Sequence, residues 1–283
     1  MQDVFPHCES LVRAADKDRF LATLFAPAEL RGALHALYAA NIEIARLREV
    51  VHEPLAGEIR LQWWREVIGG VRSAEAGGHP VAAALLETMQ QHRIDPQPLQ
   101  DLIDARTFDL YDEPMATLAD LDSYARRTSS GLITLAAGIL APDRAAPEAA
   151  DAAGIAYAIT GLLRAFPLHA SRRQLFVPAE ILAREGVDVA SIFAGHSSPG
   201  LLAALTALRA HARTHLDTAR AAIAAVPLAQ VPALLPTALV RGYLDRMERR
   251  DYDPFRTDVD VPQWRRQWVL WRAARRAAAV ARP

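Results

Sequence analysis

The chain has 283 residues with 32 Lys plus Arg against 33 Asp plus Glu, so it lacks the basic excess that general nucleic-acid binding requires. A hydrophobic share of 51% suffices for a large core, and a single cysteine, Cys8, excludes an internal disulfide and a cysteine-type zinc cluster. Ala, Leu and Arg dominate the composition, which favours helix over strand and predicts an all-α protein.

The N-terminal MQDVFPHCES has no basic-then-apolar signal pattern, and no apolar run reaches the length of a membrane span. These features predict a soluble or peripherally attached protein in a reducing cytoplasm. Between Pro27 and Val50, residues Leu30, Leu34, Leu37, Asn41 and Ile44 recur on one helical face. Ile59, Trp63 and Val67 repeat the theme, and Trp63 and Trp64, about 100° apart on a helix, suit core packing. Breaks rich in Gly, Pro, Ser and Asp fall at 76–80, 141–148, 194–200 and 249–262. Ile155, Ile159, Leu162 and Phe166 form another face, which must stop near Pro167 because proline lacks the amide and clashes with the preceding turn. The pattern predicts one domain over 1–283, built from roughly ten to thirteen helices within ordinary boundary error.

Several charged clusters invite a chemical reading. Glu43, Arg46 and Glu49 stand at i, i+3, i+6, as in a self-paired solvated face or the wall of a pocket. In DLIDARTFDLYDEP, Asp101, Asp104 and Asp112 could share a helix face and hold a hard cation, or form an acidic solvent face with Asp109 and Glu113. From Asp151 to Glu180 the chain has no intervening acid, yet it carries Arg164, His169, Arg172 and Arg173, donors suited either to an anion or to carboxylates on a neighbouring helix. The last helix sets Trp264, Trp268 and Trp271 at i, i+4, i+7 among five arginines, to close the core or to lie on anionic lipid. No dinucleotide loop, P-loop, nucleophile elbow or zinc-protease motif occurs.

The segments RFLATLFAPAELRGALHALYAAN, EIRLQWWREVI, GIAYAITGLLR, FVPAEILAREGV and ALVRGYLDRMERRDYDPF occur in the order found in the squalene/phytoene synthase family, which the chain resembles over nearly its whole length. The resemblance implies an isoprenoid-synthase fold, an all-α helical barrel around a central cavity. It also implies two prenyl diphosphates held through Mg²⁺ by two aspartate-rich motifs on facing helices. In this chain the acidic positions of the first motif fall on Ala45, Arg46 and Glu49, and those of the second on Ala165 and His169. Ionising an allylic diphosphate requires positioned positive charge on the leaving group. One charge pair at about 4 Å and an effective dielectric near 20 is worth roughly 4 kcal/mol, or about a thousandfold in rate. The missing acids therefore predict no catalytic residues, no metal and no cofactor.

Within that superfamily, LRAFPLHASRRQLFVP, YARRTSSGLITL and YAANIEIARLREVVHEPLAGEIRLQWW resemble the complex I assembly factor 6 branch. The first combines Pro167, His169, Ser171, Arg172 and Arg173 at fixed spacing. This resemblance implies a noncatalytic partner of respiratory complex I subunits or assembly intermediates. Its place would be the cytoplasm, peripheral on the inner face of the inner membrane. Two alternatives stay open. One is a prenyl transferase that uses Mg²⁺ at an altered site drawing on Glu43, Glu49 and the acids from Asp101 to Glu113. The other is a metal-independent binder of an anionic isoprenoid or lipid. The candidate anion or cavity residues are Arg46, Glu49, Tyr124, Arg164, His169, Arg172 and Arg173.

Overall fold

The computed structural model describes residues 4–51, 53–144 and 146–280. Among the described residues the regular structure is helical, without strands. α1 (Phe5–Ala15) leads into the short α2 (Lys17–Thr23), whose start is capped by the Asp16 carboxylate accepting from the Arg19 amide. α3 (Arg31–Ala45) packs against α1 and ends at Arg46, and α4 (Leu47–Val50) follows. α5 (Pro54–Ile68), α6 (Pro80–His92) and α7 (Gln97–Arg106) follow; α6 packs on α3 and α1, and α5 on α7. α8 (Leu118–Ala125) begins with a Thr117–Asp120 capping box and runs through a π turn at Arg126–Ser130 into α9 (Gly131–Leu140). α10 (Pro147–Arg164), α11 (Phe166–Ser171), α12 (Ala179–Arg184) and α13 (Val189–Phe193) come next. α14 (Pro199–Ala222) is the longest helix and lies along α10. α15 (Val231–Leu234), α16 (Val240–Met247) and α17 (Gln263–Val280) close the bundle.

The described residues thus hold seventeen α segments where the sequence pattern predicts ten to thirteen helices. The excess comes from interruptions that apolar periodicity does not register. Arg46 separates α3 from α4, and Ala165 separates α10 from α11 with Pro167 in the first turn of the new helix, where its missing amide costs nothing.

One connected core runs through the molecule. It includes Leu34, Leu37, Ile44, Ile155, Ile159 and Phe166 from the predicted faces. The face predicted for α5 is rotated: Ile59 is exposed, while Leu61, Trp64 and Ile68 are buried with Val67. Gly57 sets this rotation, because its missing side chain lets the Leu110 side chain lie against the helix. At Gly154 α10 crosses the π turn so closely that a Cβ would overlap the Ser130 backbone. The small residue is what lets α10 and the turn share that volume.

Closing the core with the tryptophans of α17 is overturned. Trp264, Trp268 and Trp271 are 69%, 50% and 49% exposed, whereas Leu270 and Arg266 face inward at 0% and 5%. The physical reason is ionic. Arg266 reaches Asp18 at 3.4 Å and Asp260 at 2.9 Å, and this anchor turns the tryptophan stripe toward solvent. No described helix is long and apolar enough to cross a membrane.

Candidate functional site

The residues at the two motif positions sit on or beside the α3–α4 and α10–α11 junctions, and a hydrogen bond from Arg172 to Glu49 links the two regions. Glu49 of α4 accepts from Arg46 at 3.0 Å and, across the gap, from Arg172 at 3.1 Å. Burial opposes ionisation of Glu49, but the hydrogen bonds from the two guanidinium groups outweigh it and hold the carboxyl below its ordinary range. Its negative charge is therefore spent on two arginines. His169 stands beside this bridge with its ring 4.7 Å from that of Phe176. Burial, reinforced by Arg172 and Arg106, pushes its pKa down to about 4 and keeps the ring neutral.

A divalent-ion clamp requires several oxygen donors converging from both walls. Ala45, Arg46, Ala165 and His169 supply none, and Glu49 is already neutralised. The residues present do not fit the Mg²⁺ cluster that the family resemblance implies. The space next to His169, bounded by Leu121, Ile159, Leu162, Phe166 and Phe176, amounts to about 10 Å³, barely one water.

Arg164 is placed elsewhere. Its guanidinium stacks over Tyr243 at 3.8 Å and reaches Asp260 at 2.7 Å and Asp18 at 3.6 Å. Asp18 is 4% exposed and also accepts from the Tyr243 hydroxyl at 3.0 Å. Burial raises its pKa against the pull of Arg164 and Arg266. Asp18, Arg164, Tyr243, Asp260 and Arg266 thus make a cluster that fastens α2, α10, α16 and α17 together. Arg173 lies apart from the Glu49 bridge, in the left-handed region at φ 58°, with its guanidinium over the Phe193 ring at 5.1 Å. Tyr124 sits in a third cluster: its hydroxyl donates to Asp109 at 2.8 Å and accepts from Arg106 at 2.6 Å. Of the seven candidate residues the structure brings together Arg46, Glu49, His169 and Arg172, and gives Tyr124, Arg164 and Arg173 separate partners.

The acidic segment does not present a shared face. Asp104 pairs with Arg65 at 2.8 Å, Asp112 pairs with Arg48 at 2.6 Å, and Asp109 is buried against Arg106. Asp112 lies beyond the end of α7, because the helix stops at Arg106 and tightens into a 3₁₀ turn through Leu110. Glu43 pairs with His79 at 3.4 Å, and burial raises its pKa to about 7.

A cavity of about 750 Å³ opens between α14, α15, α16 and α17. Apolar residues such as Leu216, Val231, Leu235 and Val261 line it, and Arg220, Arg241, Arg265, Arg272 and Arg276 also border it. Arg272 stacks over Trp268 at 4.4 Å and Arg275 over Trp271 at 5.2 Å. Only the separation of 216, 241 and 272 in sequence hides this site, since each side chain alone reads as an ordinary helix position.

The architecture places the protein in the isoprenoid-synthase class of all-α folds. A dehydrosqualene synthase of known structure superimposes with a TM-score of 0.83, covering 98% of both chains at 19% identity, a likeness of fold. The chain belongs to the squalene/phytoene synthase family, whose sequence profile matches residues 12–272. It is 31% identical over 250 residues to the NADH dehydrogenase (ubiquinone) complex I, assembly factor 6 of Bos taurus, spanning 88% of this chain and 75% of that one. It is 28% identical over 299 residues to the phytoene synthase of Arthrospira platensis, spanning 98% and 94%.

Proposed function

We propose that this chain is a noncatalytic member of the synthase fold that acts in the assembly of respiratory complex I. The observation that carries the reading is the bridge from Arg46 through Glu49 to Arg172, which locks the two walls together with arginine where diphosphate chemistry needs carboxylates. The similarity to assembly factor 6 proteins supports the same conclusion. Assembly requires binding surfaces rather than a leaving-group site. The exposed tryptophan and arginine faces of α17 supply one, suited to the anionic surface of an energy-coupling membrane at its inner face.

The test is a gene deletion complemented by the wild type and by a Trp264→Ala, Trp268→Ala, Trp271→Ala variant. Deletion lowers assembled complex I on native gels and NADH oxidation by membranes. The wild type restores both, and the triple variant restores less. Normal complex I in the deletion strain overturns the proposal. Incubation of the purified protein with farnesyl or geranylgeranyl diphosphate and Mg²⁺ releases no pyrophosphate above a protein-free control.

One observation favours a second reading, binding of an anionic isoprenoid or lipid. The 750 Å³ cavity combines apolar walls with a basic border, while Arg164 and Arg172 are consumed by Asp18, Asp260 and Glu49. On this reading the ligand enters beside α17, and its binding survives EDTA and weakens in an Arg272→Ala, Arg276→Ala variant. Loss of binding with chelator refutes it.

A further inference from the structure

The segment HARTH on α14 places His211 and His215 one turn apart on the same face. Asp122 of α8 points at both. The His211 Nε2 lies 2.8 Å from one Asp122 carboxylate oxygen, and the His215 Nε2 lies 4.0 Å from the other. The two imidazole rings are 4.6 Å apart, edge to face. One donor atom from each of the three residues lies within 4.8 Å of the others. In a tetrahedral zinc site with bonds of about 2.0 to 2.1 Å, ligand atoms are about 3.3 Å apart, so small side-chain rotations bring this set to coordinating distance.

We infer that Asp122, His211 and His215 form a binding site for a divalent transition metal, Zn²⁺ foremost, with the fourth position open to solvent. Two imidazoles and one carboxylate suit zinc and its neighbours in the first transition row, and they suit Mg²⁺ poorly because it selects oxygen donors. The side chains of Asp122, His211 and His215 are 16%, 22% and 19% exposed, sheltered from bulk water yet reachable by an ion. The Arg126 guanidinium, which acts electrostatically on His215, is paired with Asp151 at 3.2 Å and so repels a cation little. A bound ion would staple α8, and with it the π turn against α10, onto α14. This site uses no residue of the proposed assembly surface and stands whether or not that function holds.

The experiment uses the full chain, stripped with EDTA, dialysed free of chelator and titrated with Zn²⁺ by calorimetry and with Co²⁺ by visible absorption. One equivalent binds, the Co²⁺ form gives the intense bands of a tetrahedral site, and the melting temperature rises by about 4 °C at 100 times the dissociation constant. His211→Ala with His215→Ala removes that equivalent. Asp122→Asn keeps the side-chain volume and a folded protein by circular dichroism, and weakens binding on the order of a hundredfold, since altering even an outer-shell partner costs 10- to 100-fold. No binding by the wild type, an octahedral Co²⁺ spectrum, or an equivalent retained in the double variant overturns the inference.

Discussion

Asp18 and Asp260 share the same two arginines but differ in burial, and that contrast permits a sharp test. Asp18 is 4% exposed and holds Arg164, Arg266 and the Tyr243 hydroxyl, while the Asp260 side chain is 60% exposed. Replacing Asp18 by Ala leaves Arg266 inside the protein with one exposed partner and orphans the hydroxyl. Breaking a buried pair costs about 3 to 5 kcal/mol; Asp260 remains, so the lower figure of about 3 kcal/mol applies. An exposed pair is worth about 1 kcal/mol or less, which sets the expectation for Asp260→Ala. At about 2.1 cal/mol/K per residue, unfolding entropy for this chain is about 0.6 kcal/mol/K near the transition. The two variants should therefore melt about 5 °C and at most about 2 °C below the wild type by calorimetry. Equal shifts would refute the claim that burial, rather than charge count, decides the strength of this cluster. Since the Arg266 anchor holds the α17 tryptophans toward solvent, Asp18→Ala should also decrease quenching of tryptophan fluorescence by acrylamide.

Gly154→Ala forces a Cβ onto the Ser130 backbone and should cost about 3 kcal/mol in urea unfolding, the upper end for overpacking, whereas Gly161→Ala meets nothing and should be neutral or stabilising by up to about 1 kcal/mol. A neutral Gly154→Ala would contradict the close crossing of α10 and the π turn. His169 is held at a pKa of about 4 in the folded state against an ordinary 6.5. The unfolded chain therefore binds more protons between those values, and stability falls as pH drops from about 6.5 to 4. A shift of this size corresponds to about 3 kcal/mol across the window. His169→Gln should lose that component in denaturation series at pH 7 to 4, and parallel curves for the two proteins would refute the burial of a neutral imidazole.

What the amino-acid order determined by itself is the helical class and the absence of the metal-clamping acids. Both follow from local facts: propensity and apolar period specify helices, and a carboxylate that is missing from positions 45, 165 and 169 cannot be restored by folding. The faces of α3 and α10 were legible because their apolar residues repeat over about three to four turns, whereas on α5 the choice between Ile59 and Leu61 depended on Leu110, more than forty residues away. Tertiary structure alone decided how the charges were spent. The sequence left Arg164 and Arg172 open between an anion site and carboxylates on a neighbouring helix; long-range pairing sent the first to Asp18 and Asp260 and the second to Glu49. Contacts between remote elements likewise turned the α17 tryptophans outward and brought Asp122 to His211 and His215. Ion pairs and cavities join residues remote in the chain, and no periodicity along a single helix records which partner a side chain will meet across the fold.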